Sequence, residues 1–379
     1  HIPTPEPSEP KPILQVSKYL LNHKIGSGSY SKVYSAKCTE DNQIYAVKIV
    51  KFSDLIRIPD GVEQLEREIK IMRELEHQNI VKLFEVLMSK SKKRVYLVMD
   101  YAEKGSVAQI ARKENLSIEA ISSIMKQICM ALSYLHSKGY VHQDIKPANI
   151  LMNNKGRALL GDFGIGHSFR SASMVMGSPA FQAPEALKDD EDENDDSIDC
   201  PQIKEDIWAL GVSLYQMLFK KLPYVGCNLY EIVENIKEKE LKIPKCNFEV
   251  PEKLIRGMLE TDPQKRYSLK QILDDPFIKN ADDIAKDLVV CDNNNEDFNN
   301  EKNKKDRKIK VDEVIKCEEG YSFIKIGEEL KEQKRKAKAS SFKMRFNNYY
   351  SDSKFSSNSL PTLMRGQYCY EPRKTDRKS

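Results

Sequence analysis

Apolar residues recur at Ile121, Ile124, Met125, Ile128, Cys129, Leu132 and Leu135. That 3.6-residue stripe predicts a helix from about Ser117 to His136, with Ser117 as its N-cap. Val62 to Leu75, rich in Glu, Arg and Leu, predicts a second helix. Gln43–Val50 (QIYAVKIV) and Arg94–Met99 (RVYLVM) break the helical period. Both are enriched in β-branched and aromatic residues and predict strands. Strands crowd the first hundred residues and helices dominate afterwards. The ordering predicts an α+β chain with a small β-rich lobe, a larger helical lobe and a cleft between them.

Composition adds a tail to this picture. The chain has 379 residues, enough for two domains or for one bilobal body and an appendage. Residues 1–12 carry five prolines, which predicts an extended arm over 1–18. The body is expected from 19 to 278, divided at about residue 101. After it comes a polar tract with Asn293, Asn294, Asn295, Asn299 and Asn300. Residues 301–379 hold 21 Lys/Arg against 12 Asp/Glu, a net of +9, which leaves the first 300 at −5. The expectation is a mildly acidic body and a basic, largely disordered tail over 279–379.

No stretch approaches 18 uncharged apolar residues, which excludes a membrane-spanning helix. The overall charge of +4 gives no nucleic-acid signal. Eight cysteines are scattered without a Cys-x-x-Cys pair, so free thiols in a reducing compartment are expected. The expected setting is the cytoplasm, with the nucleus as the alternative. The chain opens on His1, so that residue is not taken as the natural N-terminus.

Three segments carry candidate chemistry. Gly26–Val33 (GSGSYSKV) has glycines spaced to let backbone N–H groups approach phosphates. It lacks the Gly-Lys-Ser/Thr of a Walker-A loop, and a strand rather than a helix follows it. Lys48 sits among apolar strand residues, which is hard to explain as a solvated face, and Glu68 on the predicted helix is a candidate partner. The third segment decides the matter: Val141–Asn149 (VHQDIKPAN) followed by Gly161–Gly164 (GDFG). Phosphoryl transfer needs a carboxylate near the acceptor hydroxyl, oxygen ligands for Mg²⁺ and a cation on the moving phosphate. Asp144, Lys146, Asn149 and Asp162 supply these groups within nineteen residues.

In these motifs the sequence resembles the eukaryotic protein kinases over about Tyr19–Phe277. The resemblance implies the bilobal protein kinase fold, ATP and Mg²⁺ as cofactors, and transfer to protein Ser/Thr, which Lys146 favours over Tyr. By resemblance Lys48 contacts the α/β-phosphates and pairs with Glu68. Asp144 is the catalytic base, and Asn149 and Asp162 are metal ligands. Ile25, Gly26, Ser27, Gly28, Ser29, Tyr30, Ser31, Lys32 and Val33 cover the nucleotide. Ala46, Met99 as gatekeeper, Asp100, Ala102 and Leu151 surround adenine. Phe163 stacks with Met72, Leu83 and His142 as a spine, and Gly164 follows it. Glu185 of Ala183–Glu185 pairs with Arg266, while Asp206 and Trp208 lie on a buried central helix.

Two positions depart from the family pattern. Ser31 replaces the third glycine of the loop. Gln143 replaces the arginine that pairs with a phosphorylated activation segment, which puts the usual phospho-switch in doubt. Leu55–Gly61, Gly177–Gln182 and Gly226–Ile236 resemble the liver kinase B group, with the calmodulin-kinase-kinase group next. That narrower resemblance implies an upstream kinase acting on other kinases. It also implies activation by a pseudokinase adaptor with a helical-repeat scaffold. A pseudokinase-type binding module is the alternative class, but it would be expected to have lost Lys48, Asp144 or Asp162. The acidic run Asp189–Asp199 reads as a solvated insert. Lys331–Phe346, net +6, reads the same way, with calmodulin or acidic lipid as the alternative.

Overall fold

The computed structural model describes residues 13–28, 30–162, 179–187, 201–286, 288, 309–318 and 320–336. The described residues up to Gly327 make one compact unit. Its smaller lobe is a curled sheet. The strands are β1 (Ile13–Val16), β2 (Tyr19–Ser27), β3 (Ser31–Cys38), β4 (Ile44–Lys51), β5 (Leu83–Ser89) and β6 (Arg94–Met99). β3 is only partly buried, with Lys32 and Lys37 exposed, but β4 is buried through Ala46, Val47, Lys48, Ile49 and Val50, as a central strand should be. A short helix α1 (Phe52–Leu55) leads into α2 (Gly61–Glu74), which packs over the sheet. Gly61 permits the close turn between them, since a Cβ there would sit 2.5 Å from the Leu55 carbonyl.

The larger lobe is helical. After the two-residue strand β7 (Gly105–Ser106) comes α3 (Val107–Lys113), capped reciprocally by Ser106 and Gln109. Helix α4 (Ile118–Ser137) starts as the sequence predicts, with the Ser117 hydroxyl accepting from the Ala120 N–H. Its stripe from Ile121 to Leu135 is fully buried. The hairpin β8 (Ile150–Met152) and β9 (Ala158–Leu160) pairs with β7. Helices α5 (Pro201–Phe219), α6 (Leu229–Glu238), α7 (Glu252–Met258), α8 (Leu269–Asp274) and α9 (Pro276–Lys279) complete the lobe.

Two sequence expectations are corrected here. The arm expected over 1–18 does not stay clear of the body, because its residues Ile13–Val16 form β1 in the sheet. The tail does not leave the body at residue 279. The Ala285 N–H donates to the Gly156 carbonyl at 2.8 Å, and Ala285 and Leu288 are buried in the larger lobe. The chain then returns to the smaller lobe as β10 (Ile309–Asp312) and β11 (Ile315–Lys316). The sheet order is β10-β1-β2-β3-β4-β6-β5-β11, so this segment closes both edges. β10 runs parallel to β1 and β11 antiparallel to β5. Basic composition concealed this because only a few positions need to be apolar or matched. Cys317 and Phe323 are buried, and buried Asp312 accepts from Tyr96 Oη, from Ser89 Oγ at 3.0 Å and from Lys92 Nζ at 2.9 Å.

Candidate active site

Strand β4 delivers Lys48 to the lobe interface from the middle of an apolar run. Its Nζ lies 3.1 Å from Glu68 Oε1 on α2 and 2.8 Å from Asp162 Oδ1. Burial alone pulls the Lys48 ammonium down, but the charges of Asp162 and Glu68 outweigh it and hold the group above its ordinary value. The same ammonium, acting against burial, keeps the Asp162 carboxyl below the usual carboxylate range.

The loop from Val141 to Asn149 is held from below by one buried carboxylate. Asp206 Oδ2 accepts from the His142 N–H at 2.9 Å and from His136 Nε2 at 2.8 Å, while Oδ1 accepts from the Gln143 N–H at 2.7 Å. These bonds fix Gln143 at φ 62°, a left-handed conformation that costs a non-glycine residue about 1–3 kcal/mol. Asp162 has φ 61°. The His142 ring takes one tautomer: Nδ1 accepts from the Asp144 N–H at 3.2 Å and Nε2 donates to the Gly161 carbonyl at 3.1 Å. The ring therefore ties the two halves of the site together.

Asp144 is positioned by its neighbours. Lys146 Nζ lies 2.8 Å from Oδ1 and 2.7 Å from Oδ2. Asn149 Nδ2 donates to Asp144 Oδ2 at 2.7 Å and to its backbone carbonyl at 2.8 Å. With its amide hydrogens spent there, Asn149 leaves its Oδ1 as the atom to offer elsewhere.

The remaining predicted residues fall around this centre. Gly26 pairs with Val33 and Ser27 with Lys32 across the β2–β3 hairpin, and the Gly28 N–H donates to the Ser31 carbonyl at 3.0 Å. Ile25 precedes them in β2, and Tyr30 is half-buried at the turn. Ala46 sits opposite Met99 in the β4–β6 pair. The Asp100 carboxylate accepts from the Lys82 N–H at 2.8 Å, and burial pushes that carboxyl up. Ala102 is buried and Leu151 half-buried. Met72, Leu83 and His142 are buried as expected. Ser29, Phe163, Gly164, the acidic run Asp189–Asp199 and the basic segment beyond residue 336 lie outside the described residues.

Beneath the site, Arg266 is fully buried and forks onto Glu185 at 2.6 and 3.0 Å. Its guanidinium lies 5.0 Å from the Trp208 ring centroid. The sequence reading missed His136 as a second donor to Asp206. The one available signal was a polar residue at the end of the apolar stripe of α4.

The protein kinase domain family matches residues 19–278, the stretch that holds all of this geometry. The chain belongs to that family. The chain is 34% identical over 284 residues to serine/threonine-protein kinase STK11 of Rattus norvegicus, covering 72% of this chain and 63% of that protein. It is 35% identical over 267 residues to STK11 of Homo sapiens, covering 68% and 60%. It is 31% identical over 278 residues to CBL-interacting protein kinase 5 of Oryza sativa subsp. japonica, covering 72% and 58%. The chain thus spans less than two thirds of the length of these relatives. STK11, also called LKB1, bears out the resemblance to the liver kinase B group. Kinases of this family use ATP and a divalent metal. Among the described residues no helix is long and apolar enough to cross a membrane.

Proposed function

We propose that the chain is an ATP-dependent protein serine/threonine kinase. The observation that carries this reading is the Asp144 carboxylate, gripped by Lys146 at 2.7–2.8 Å and by Asn149 at 2.7 Å. A carboxylate so oriented can accept a hydrogen bond from an incoming hydroxyl and take its proton as the phosphoryl group arrives. Lys146 then stands beside the transferring group as a cation, which suits the short reach of a Ser or Thr side chain. Lys48, steered by Glu68, would hold the nucleotide phosphates.

The metal is proposed to be Mg²⁺, held by Asp162 Oδ1 or Oδ2 and Asn149 Oδ1. Two hard oxygen donors, one of them a carboxylate, fit an ion that takes its other ligands from phosphates and water. When bound, the ion neutralises charge developing on the phosphate oxygens.

The liver kinase B resemblance extends the proposal to an upstream role, acting on a threonine in the activation segment of other kinases. It also supports activation by a pseudokinase adaptor with a helical-repeat scaffold. Calmodulin is the alternative partner, through residues 331–346, and the cytoplasm is the proposed setting. The test is transfer of phosphate by the purified full chain to an activation-segment threonine peptide, with and without candidate partners. Transfer that survives Asp144→Asn at the wild-type rate would reject the assignment.

A further inference from the structure

The segment that closes the sheet also lies along α2. Arg73, in its last turn, donates through Nη2 to the Cys317 carbonyl and through Nη1 to the Glu318 carbonyl at 3.1 Å. Glu66 Oε1 accepts from Ser322 Oγ at 2.9 Å, from the Ile324 N–H at 3.2 Å and from the Phe323 N–H. A helix begins at residue 324, so Glu66 satisfies N–H groups that the helix itself leaves open. Phe323 is 2% exposed, with its ring centroid 6.1 Å from that of Phe52 and 5.1 Å from that of Tyr321. Gly327 lies against Val62, close enough that a Cβ would sit 2.9 Å from Val62 Cγ2.

Val62, Glu66 and Arg73 are spaced four and seven apart, which puts them on one face of the helix. Glu68 is two residues past Glu66, about 200° further round, and faces Lys48 on the other side. α2 is therefore gripped between residues 317–327 and the Lys48 ammonium.

We propose that residues 309–327 are a built-in clamp on α2, with Phe323 and Glu66 as positioning residues that hold Glu68 against Lys48. The proposal rests on the kinase reading for the use made of that ion pair. Without the clamp, α2 keeps its inner contacts but loses the polar and apolar grip on its outer face. Glu68 then leaves Lys48 for part of the time, and the ammonium is no longer aimed at phosphate.

The test uses the full chain with Phe323→Ala and Glu66→Gln, each also combined with Glu68→Gln. Hydrogen exchange over residues 61–74 should speed up at least about tenfold in either single variant, with α4 unchanged. Mg-ATP affinity, measured by calorimetry, should weaken about fivefold in each. In the Glu68→Gln background the same changes should cost less than about twofold, because the pair they act through is already gone. If Phe323→Ala does not fold, Phe323→Leu and Glu66→Gln carry the comparison. Unchanged exchange in α2, or losses that simply add in the Glu68→Gln background, overturns the clamp. A wild-type chain that binds Mg-ATP but transfers phosphate to no protein overturns the kinase reading, while the exchange result still decides the clamp. A wild-type chain that binds no Mg-ATP overturns both.

Discussion

Lys48 Nζ stands 2.8 Å from Asp162 Oδ1 and 3.1 Å from Glu68 Oε1, so a single ammonium joins β4, α2 and the segment after β9. The two carboxylates differ in exposure. The Glu68 side chain is 2% exposed and that of Asp162 58%, which makes Asp162 the partner able to turn toward a metal ion. Asp162→Asn should therefore lower kcat/KM by about 10²–10³, as loss of an oriented catalytic charge does. A steady-state assay with varied Mg-ATP checks it.

The same carboxylate gives a pH signature. Its folded-state value is depressed by Lys48, so its stabilising contribution is complete above about pH 4 and is lost as pH falls through the depressed value. Asp162→Asn should then melt lower than wild type at pH 6, with the gap closing as pH drops below 4. Melting curves from pH 3 to 7 measure this. A gap that widens on acidification contradicts the sign.

Arg266→Met should destabilise by about 3–5 kcal/mol, because Glu185 loses its partner where its side chain is only 18% exposed. For a domain of this size that corresponds to a fall in Tm of about 10 °C. Glu185→Gln should cost less, since Arg266 keeps the carbonyls of Lys204 and Glu260, each at 2.8 Å. Calorimetry on both variants orders the two effects.

Truncation separates the two views of the tail. On composition alone, removing everything after the helical lobe should leave a folded body. Buried Asp312, Cys317 and Phe323 predict otherwise. A chain ending at 278 should melt well below wild type, and one ending at 336 within a few degrees of it. Burying Phe323 alone is worth about 1.5–3 kcal/mol.

Thiol chemistry reports the same segment. Burial pushes Cys317 up to about 11 and Cys129 up to about 12, while Cys227 is exposed. Of these three thiols, iodoacetamide at pH 8 should label Cys227 first and the other two at least about a hundredfold more slowly. Phe323→Ala should speed labelling of Cys317 and leave Cys129 slow, read by mass spectrometry over time.

Much of the site was legible because phosphoryl transfer constrains residue types at short spacing. Asp144, Lys146 and Asn149 lie within six residues, and the structure joins them by direct hydrogen bonds. The α4 stripe and its Ser117 cap were equally plain, since helical period and capping are local properties. The return of the chain to the sheet was not. β10 pairs with β1 across some three hundred residues, and no local pattern encodes so distant a partner. Glu66 was hidden for a different reason. It reads as a solvated helix position until Ser322, Phe323 and Ile324 arrive beside it. Its neighbour Glu68 differed only in having a lysine in an apolar strand to suggest a partner.

Because both outer strands of the sheet come from residues 309–316, the order of synthesis matters. A ribosome releases β1 to β6 long before β10 and β11 exist, so the nascent smaller lobe waits with both edges open. Such edges invite pairing with other chains. During translation this lobe would depend on chaperones more than the helical lobe does, and a premature stop before residue 309 would yield a sticky product rather than a merely shortened one.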